Sequence, residues 1–377
     1  MFYFDNAATT LHKPQEVVDA VVQAMTSFGN YGRGVHEGAL SAARTVSEAR
    51  QALAGFFGCP DPSRVIFTAN ATASLNMAIC GMLSEGDGVI ATDYAHNSVL
   101  RPLYRLEKER GIELQFVPAD MNGNLDYNSF ERFLTPKTRA VVSTHASNLT
   151  GDVTDLAKVG AFCRKHGLLH IVDAAQTAGT FPIDMDTMGI DALCFSGHKG
   201  MMGPQGIGVL ILMPGIEVRP LLVGGTGVQS HLPTQPTQYP EHLEAGTLNT
   251  HGIAGLLAAL RYTESKTPQA IHAHELALAT RFYEGVRGID GVMIYGDHSS
   301  DRAPIVTLNI RDYGSSEVAD ALARDYDIAV RSGAHCAPRM HAALGTEKQG
   351  AVRFSFGWFN TEEEVDAAIR AVKEIAE

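Results

Sequence analysis

The sequence predicts an α/β fold, with a large domain organised on a parallel sheet and a smaller α+β domain following it. Three observations carry that expectation. Amphipathic helical periodicity over 14–28, 41–57, 72–84, 98–110 and 154–166 alternates with short apolar runs of strand length. Those runs close on small polar or ionisable residues, and in parallel sheets ligands bind beyond the carboxyl ends of the strands. From about Thr267 the order changes to helix, strands, helix, with strand-like runs Gly291-Val292-Met293-Ile294-Tyr295 and Pro304-Ile305-Val306-Thr307-Leu308-Asn309.

Length and charge narrow the function. A chain of 377 residues exceeds one ordinary core, so two domains or one large domain with an appendage are expected. A net charge of -12 without a long basic run argues against nucleic acid or an anionic membrane surface as the main partner. The N-terminus, Met1-Phe2-Tyr3-Phe4-Asp5, lacks the basic-then-apolar pattern of a signal peptide, and no apolar run is long enough to span a bilayer. Five cysteines, odd in number and without metal-ligand spacing, fit a reduced cytoplasm and no metal centre. Cys59, Cys80, Cys163 and Cys194 sit in or beside apolar runs and read as core residues.

The residues at the strand ends set the expected chemistry. Arg64-Val65-Ile66-Phe67-Thr68 is followed by Ala69-Asn70-Ala71-Thr72, small residues opening a helix whose free N–H groups can receive a phosphate or simply be capped. Gly88-Val89-Ile90-Ala91-Thr92 leads to His96, an imidazole able to stack on a flat ring and move a proton near neutral pH, or a plain loop histidine. The run 139–144 leads to Asn148, otherwise an Asx-turn residue. Leu168 to Val172 ends on Asp173, a buried carboxylate that must be paired with a protonated ring nitrogen or with a structural cation. Ala192-Leu193-Cys194-Phe195-Ser196 empties into Gly197-His198-Lys199-Gly200, 26 residues after Asp173. A lysine at the end of a buried strand loses hydration and hence pKa, as a Schiff-base amine requires. A phosphate cup, a ring-nitrogen acid and an amine together describe a pyridoxal phosphate site.

These segments carry a resemblance. With Tyr3-Phe4-Asp5-Asn6-Ala7-Ala8-Thr9-Thr10, Ala95-His96-Asn97, His145-Ala146-Ser147-Asn148, Asp173-Ala174-Ala175-Gln176, Ser196-Gly197-His198-Lys199, Glu244-Ala245-Gly246-Thr247-Leu248-Asn249 and Arg331-Ser332-Gly333-Ala334-His335-Cys336-Ala337, the chain resembles class V, fold type I pyridoxal-phosphate enzymes. Within them it is most similar to the cysteine desulfurase and selenocysteine lyase family. The resemblance implies a mostly parallel seven-stranded sheet in a cofactor domain over 12–255. A small domain over 256–377 would carry the cysteine loop, with segment 1–11 joining the two. It further implies Lys199 as the Schiff-base lysine, Asp173 on the pyridine nitrogen, Gln176 and Asn148 near the ring hydroxyl, and His96 on the ring face. Ala71, Thr72, Ser196 and His198 would contact the phosphate, and Thr247 the phosphate of the neighbouring subunit of a homodimer. Thr247 also precedes an apolar helix over 250–261, where an N-cap role is equally natural.

Two residues of the second half define the expected reaction. Cys336 lies in a loop between Gly333 and Pro338, beside His335 and near Arg331 and Arg339, a setting for an accessible thiolate. Arg353 interrupts the apolar strand Ala351-Val352-Arg353-Phe354-Ser355 and needs an anion, either a substrate carboxylate or a carboxylate within the domain. In the family these positions are the sulfur-accepting nucleophile and the carboxylate-binding arginine, with Asn148 assisting. The expectation is therefore a desulfurase that turns L-cysteine into L-alanine and leaves a persulfide on Cys336 for an acceptor protein. Selenocysteine lyase acting on L-selenocysteine and a class V aminotransferase are the alternatives. The chain departs from the common members in Gly200-Met201-Met202, one residue longer than expected, in Ala334 for a second histidine, and in Ala95 for an acid before His96.

Overall fold

The computed structural model describes every residue except Arg33. After β1 (Phe2–Tyr3), α1 (Gln15–Ser27) and α2 (Glu37–Phe56), strands and helices alternate. They are β2 (Val65–Thr68), α3 (Ala71–Met82), β3 (Gly88–Thr92), α4 (Asn97–Arg110), β4 (Glu113–Val117), α5 (Asn128–Phe133), β5 (Thr138–Thr144), α6 (Leu156–His166) and β6 (Leu169–Asp173). With β7 (Ala192–Ser196) and β8 (Gly208–Leu212) the strands make a seven-stranded sheet ordered β2-β8-β7-β6-β5-β3-β4. Only β8 runs antiparallel to its neighbours, so the sheet is mostly parallel, as expected.

Both faces of the sheet are covered, which explains why its central strands read as unbroken apolar runs. All five residues of β3, β7 and β8 are buried. One face packs with α2 through Val46, Leu53 and Phe57, the other with α3 and α4 through Leu75, Ile79 and Leu103. Each such side chain contributes about 1.5–3 kcal/mol on leaving water. A buried fork binds α2 to the chain before Thr247: Arg50 donates to both Glu244 oxygens, at 2.9 and 2.6 Å, and the Phe67 N–H donates to Glu244 at 2.7 Å.

α7 (Thr250–Lys266) and α8 (Pro268–Val286) lead into β9 (Val292–Tyr295), β10 (Ile305–Ile310), α9 (Ser315–Tyr326), β11 (Ile328–Ala329), β12 (Arg331–Gly333), α10 (Pro338–Leu344), β13 (Ala351–Ser355) and α11 (Glu362–Ala376). Here the sheet is antiparallel, ordered β12-β13-β10-β9. The N-terminal segment is tied to this part: β1 pairs in parallel with β11, and Phe4 is fully buried against Phe354 and Phe356. Residues 5–10 then pass to the large sheet, where the Thr10 N–H donates to the His198 carbonyl at 3.1 Å.

Sequence periodicity and structure differ in four places. α2 begins at Glu37, four residues before the pattern suggested, because Ala39 and Ala42 are small residues fully used in packing rather than a strong apolar stripe. β4 lies at the sheet edge with Glu113 and Gln115 interrupting its apolar residues, and it escaped notice. β8 follows the glycines after Lys199 and was missed as well. α7 continues past 261 and runs unbroken across position 255, with Ile253, Leu256, Leu257 and Leu260 all in the core of the large sheet. Among the described residues no helix is long and apolar enough to cross a membrane.

Candidate active site

A cavity of about 150 Å³ opens at the carboxyl ends of the parallel strands. Its anion-receiving end is the start of α3. Asn70 caps the helix by accepting the Ala73 N–H at 2.9 Å, and the Ala71 N–H donates to the Ser196 hydroxyl at 2.9 Å. Because Ser196 accepts there, its own O–H is free to donate toward the cavity. Thr72 shares a 2.8 Å hydroxyl hydrogen bond with Ser98. A helix N-terminus with hydroxyls on both sides favours a phosphate-like anion.

The walls come from three strand ends. Asp173, the last residue of β6, is 4% exposed, and its Oδ1 accepts the Ala175 N–H at 3.0 Å. Burial raises its pKa, and the nearby Lys199 cation opposes the rise. Asn148 donates from Nδ2 to the His335 carbonyl at 2.7 Å, while its buried Oδ1 has no partner. Gln176 donates to the Ala7 carbonyl at 3.1 Å. His96 caps α4, its Nδ1 accepting the Ser98 N–H at 3.0 Å, so the neutral ring carries its proton on Nε2. Burial, and then the Lys199 charge, press the His96 pKa down to about 4. The expectation that this ring titrates near neutrality is corrected: it is a neutral imidazole. His198 follows the same course, to about 4, and its buried Nδ1 has no partner.

Lys199 lies between these groups. Burial lowers its amine to about 8, partly offset by the Asp173 carboxylate. The amine therefore loses its proton far more readily than an ordinary lysine.

The thiol arrives from the other sheet. Between β12 and α10 the chain turns through Ala334, His335, Cys336 and Ala337, with His335 and Cys336 both in the left-handed region (φ 50° and 55°). Holding each non-glycine residue there costs on the order of 1–2 kcal/mol. Two bonds press this turn onto the cavity wall: Asn148 to the His335 carbonyl, and the Asn97 N–H to the Cys336 carbonyl at 2.8 Å. Cys336 is half-buried, whereas Cys59, Cys80, Cys163 and Cys194 are buried, matching the core reading of those four. Arg339 does not serve the thiol. It donates to Asp93 at 2.6 Å and lies over the Phe116 ring, so its charge is already matched. His335 is likewise neutral, pushed by burial to about 3.

Arg353, 1% exposed on β13, spans all three parts of the chain. It donates to Asp5 at 2.7 Å and to the Asn148 carbonyl at 2.8 Å, and its Nε has no partner. Thr247 is the outlier: it is exposed and lines a separate pocket with Gly225 and Thr226, and Asn249, not Thr247, caps α7. Three residues escaped the sequence reading. Asp5 lies in the N-terminal motif but carries no sequence signal for its pairing with Arg353. Ser98, bonded to both Thr72 and His96, follows Asn97 in a plain helix start. Arg331, at the thiol turn, was noted only as a neighbour of Cys336, yet its charge acts on His96, Lys199 and Arg353 together.

Comparison with known proteins agrees with this geometry. The family model for aminotransferase class-V matches residues 2–368. The chain belongs to that family. Among its relatives are proteins named probable cysteine desulfurase from Methanothermobacter thermautotrophicus, 35% identical over 99% of this chain and 94% of the relative, and from Pyrococcus abyssi, 34% identical over 100% and 94%. In solved structures the fold recurs in the apo cysteine desulfurase of Thermococcus onnurineus, with a TM-score of 0.93 and 35% identity, covering 100% of this chain and 94% of that one. A cysteine desulfurase from Escherichia coli gives 0.89 and 30%, covering 99% and 94%. The fold is thus that of the fold type I enzymes the sequence resembled.

Proposed function

We propose that this chain is a pyridoxal-phosphate-dependent cysteine desulfurase, converting L-cysteine to L-alanine and passing the sulfur to Cys336 and then to an acceptor. The observation that carries the reading is convergence on one cavity: a readily deprotonated lysine, a buried carboxylate without a committed cation, a helix N-terminus and a thiol-bearing turn docked on the wall.

The residues present suit the cofactor. Asp173 lacks an ion-pair partner among the described residues, and a protonated pyridine nitrogen supplies one. The unpartnered Asn148 Oδ1, with Gln176, suits a ring hydroxyl. Ala71, Thr72, Ser196 and His198 suit the phosphate, His96 the ring face, and Lys199 the aldehyde. When bound, the cofactor supplies an electron-poor ring that takes up the electron pair left by Cα deprotonation.

The protein's own share is positional and acid–base. Asp5 and the Asn148 carbonyl take two Arg353 donors and leave Nε without a partner; through that Nε, with Asn148, Arg353 holds the substrate carboxylate, and a fixed orientation replaces a chance encounter. Lys199, free as an amine, takes the Cα proton; the low pKa of His96 makes the imidazole a weaker base for that step. Cys336, as thiolate, bonds to the substrate sulfur as the Cβ–S bond breaks; the bond pair stays with Cβ, which takes a proton, Cα regains the proton Lys199 removed, and alanine leaves with the persulfide kept on the enzyme.

The same reading places the protein in the cytoplasm and divides it into a cofactor domain at 12–255 and a thiol-bearing domain at 256–377, bridged by 1–11. It also makes the protein a homodimer in which Thr247 meets the partner's phosphate. Val18, Val22 and Met25 form an exposed apolar stripe on α1, and Leu222 and Val223 are exposed too, which supports a second copy as their cover. The test is to incubate purified protein with L-cysteine, map the persulfide by mass and count the alanine. Alanine with sulfur on Cys336 supports the reading; a 2-oxo acid product instead indicates an aminotransferase.

A further inference from the structure

Glu275 belongs to none of the groups above. It lies on α8, 5% exposed, and its carboxylate takes a hydrogen bond from the Trp358 backbone. Among the described residues it has no ion-pair partner. A buried carboxylate without a cation costs too much to keep charged, so it holds a proton.

What gives this proton a use is a second, smaller cleft. Its volume is about 30 Å³, and its lining includes both Glu275 and Lys199. That is space for one or two waters, with Asn6, Thr10 and Gln176 offering hydrogen-bond partners. Among the described residues no charged side chain other than Glu275 and Lys199 lines the cleft. The N-terminal segment contributes Asn6, Ala7 and Thr10; the chain before β10 contributes Ala303, Pro304 and Ile305; the end of β13 contributes Ser355, Phe356 and Gly357. Asp5 is paired with Arg353, and Arg302 with Asp152. On α8 itself His272 bonds Asp301 at 2.7 Å, and His274 packs edge-on against Trp358. Behind the lining, the Lys13 amine donates to the Thr10 hydroxyl and to the His198 carbonyl at 3.1 Å, and burial lowers its pKa to about 8, so it is the rival cation that the Lys199→Ala comparison separates from Lys199. From the turn after β7, Lys199 is the one cation among the described residues that lines the cleft itself.

We propose that Glu275 is the proton store of Lys199, exchanging one proton with the amine through water in the cleft. The exchange is Lys199–NH₃⁺ with Glu275–COO⁻ giving Lys199–NH₂ with Glu275–COOH: one N–H bond breaks, one O–H bond forms, and no electrons are gained or lost. Burial raises the acid to about 8 and lowers the amine to about 8, so the proton moves between near-matched sites. The neutral pair is the one an apolar surrounding favours. Glu275 touches neither substrate nor cofactor in this role; it is a positioning residue that sets the protonation of Lys199. The inference rests on the function proposed above.

Infrared difference spectra of the full chain without substrate, taken from pH 6 to 10, test it apart from that function. The cofactor-free protein is read first, because its Lys199 amine is free, and then the loaded protein. A protonated-carboxyl band that titrates near pH 8 and is absent in Glu275→Gln is expected. Its midpoint should move by about one pH unit in Lys199→Ala. In the loaded enzyme, Glu275→Gln should release alanine about tenfold more slowly at neutral pH, with a changed pH profile. A band already lost by pH 6 as the pH is raised, or one whose midpoint ignores Lys199→Ala, overturns the proposal. Should Glu275→Gln fail to fold, the comparison of unaltered protein with Lys199→Ala still decides it. A coupled band in a protein that makes no alanine would retire the desulfurase reading and leave the proton pair standing.

Discussion

The cavity wall at the ends of β5, β6 and β7 and the turn between β12 and α10, bonded to it through Asn148 and Asn97, carry the groups the proposed function uses, and they are held by different physical means. Asp173 and Ser196 are the last residues of strands buried throughout except at Leu169, so ladder hydrogen bonds and the cores on both faces fix where they point. The thiol turn is instead held by the Asn148 and Asn97 hydrogen bonds, each worth about 0.5–1.5 kcal/mol net, by the Ala337 N–H on the Ala334 carbonyl and by the burial of His335 and Ala337, against the cost of two left-handed residues. The stiff region suits groups that must stay aligned with a bound ring. The turn, held by side chains and a turn hydrogen bond rather than by a strand ladder, suits the sulfur transfer proposed for its thiol.

The sharpest way to break the comparison is at its stiff side. Lys199→Ala should abolish alanine release from L-cysteine, by on the order of 10⁴-fold or more, while the melting temperature holds or rises. Residual activity near the unaltered level would remove Lys199 from the chemistry. On the turn side, Cys336→Ala should cost on the order of 10³-fold with L-cysteine. Turnover of L-selenocysteine by that variant separates the alternatives: activity kept only on selenium marks a selenocysteine lyase.

Acid separates neither region but tests both together. His96 and His198 in the wall, His335 in the turn, and His145 and His170 in the core are all held neutral by burial, at about 3 to 4. Unfolded histidines bind protons near pH 6.5 and the folded ones do not, so stability is intact above 6.5 and is lost as pH falls toward 4. For fully buried His145 and His170 the loss at pH 5 is about 2 kcal/mol each. Calorimetry at pH 7.5 and 5 should show a lower melting midpoint at pH 5; equal midpoints would refute the neutral histidines.

The smallest effect sharpens the comparison most. Asn148→Ala removes the bond to the His335 carbonyl, so Cys336 in the substrate-free protein should react with iodoacetamide about two- to tenfold faster. Unchanged alkylation would mean that the turn is held by something other than this side chain.

Much of the scaffold was legible because parallel strands buried on two faces must be apolar throughout, and each must end where a polar residue meets solvent or ligand. That reasoning located Ala71, Thr72, His96, Asn148, Asp173 and Lys199, which line one cavity. It overlooked β4 and β8, where an edge position and flanking glycines blurred the pattern. It also overlooked Asp5 and Glu275, because an isolated carboxylate looks the same in sequence whether it meets water, an arginine 348 residues away, or a lysine-lined cleft.

By itself, then, the sequence determined the periodicities, the strand ends and the residue types waiting there, since these follow from local geometry and the hydrophobic effect. Only the tertiary structure decided which distant groups neutralise one another. It gave Arg339 to Asp93 and Arg353 to Asp5, left Asp173 and Glu275 without an ion-pair partner among the described residues, and turned His96 and His335 into neutral rings. The reason is that hydration and charge pairing depend on what surrounds a group in space, which chain order does not record.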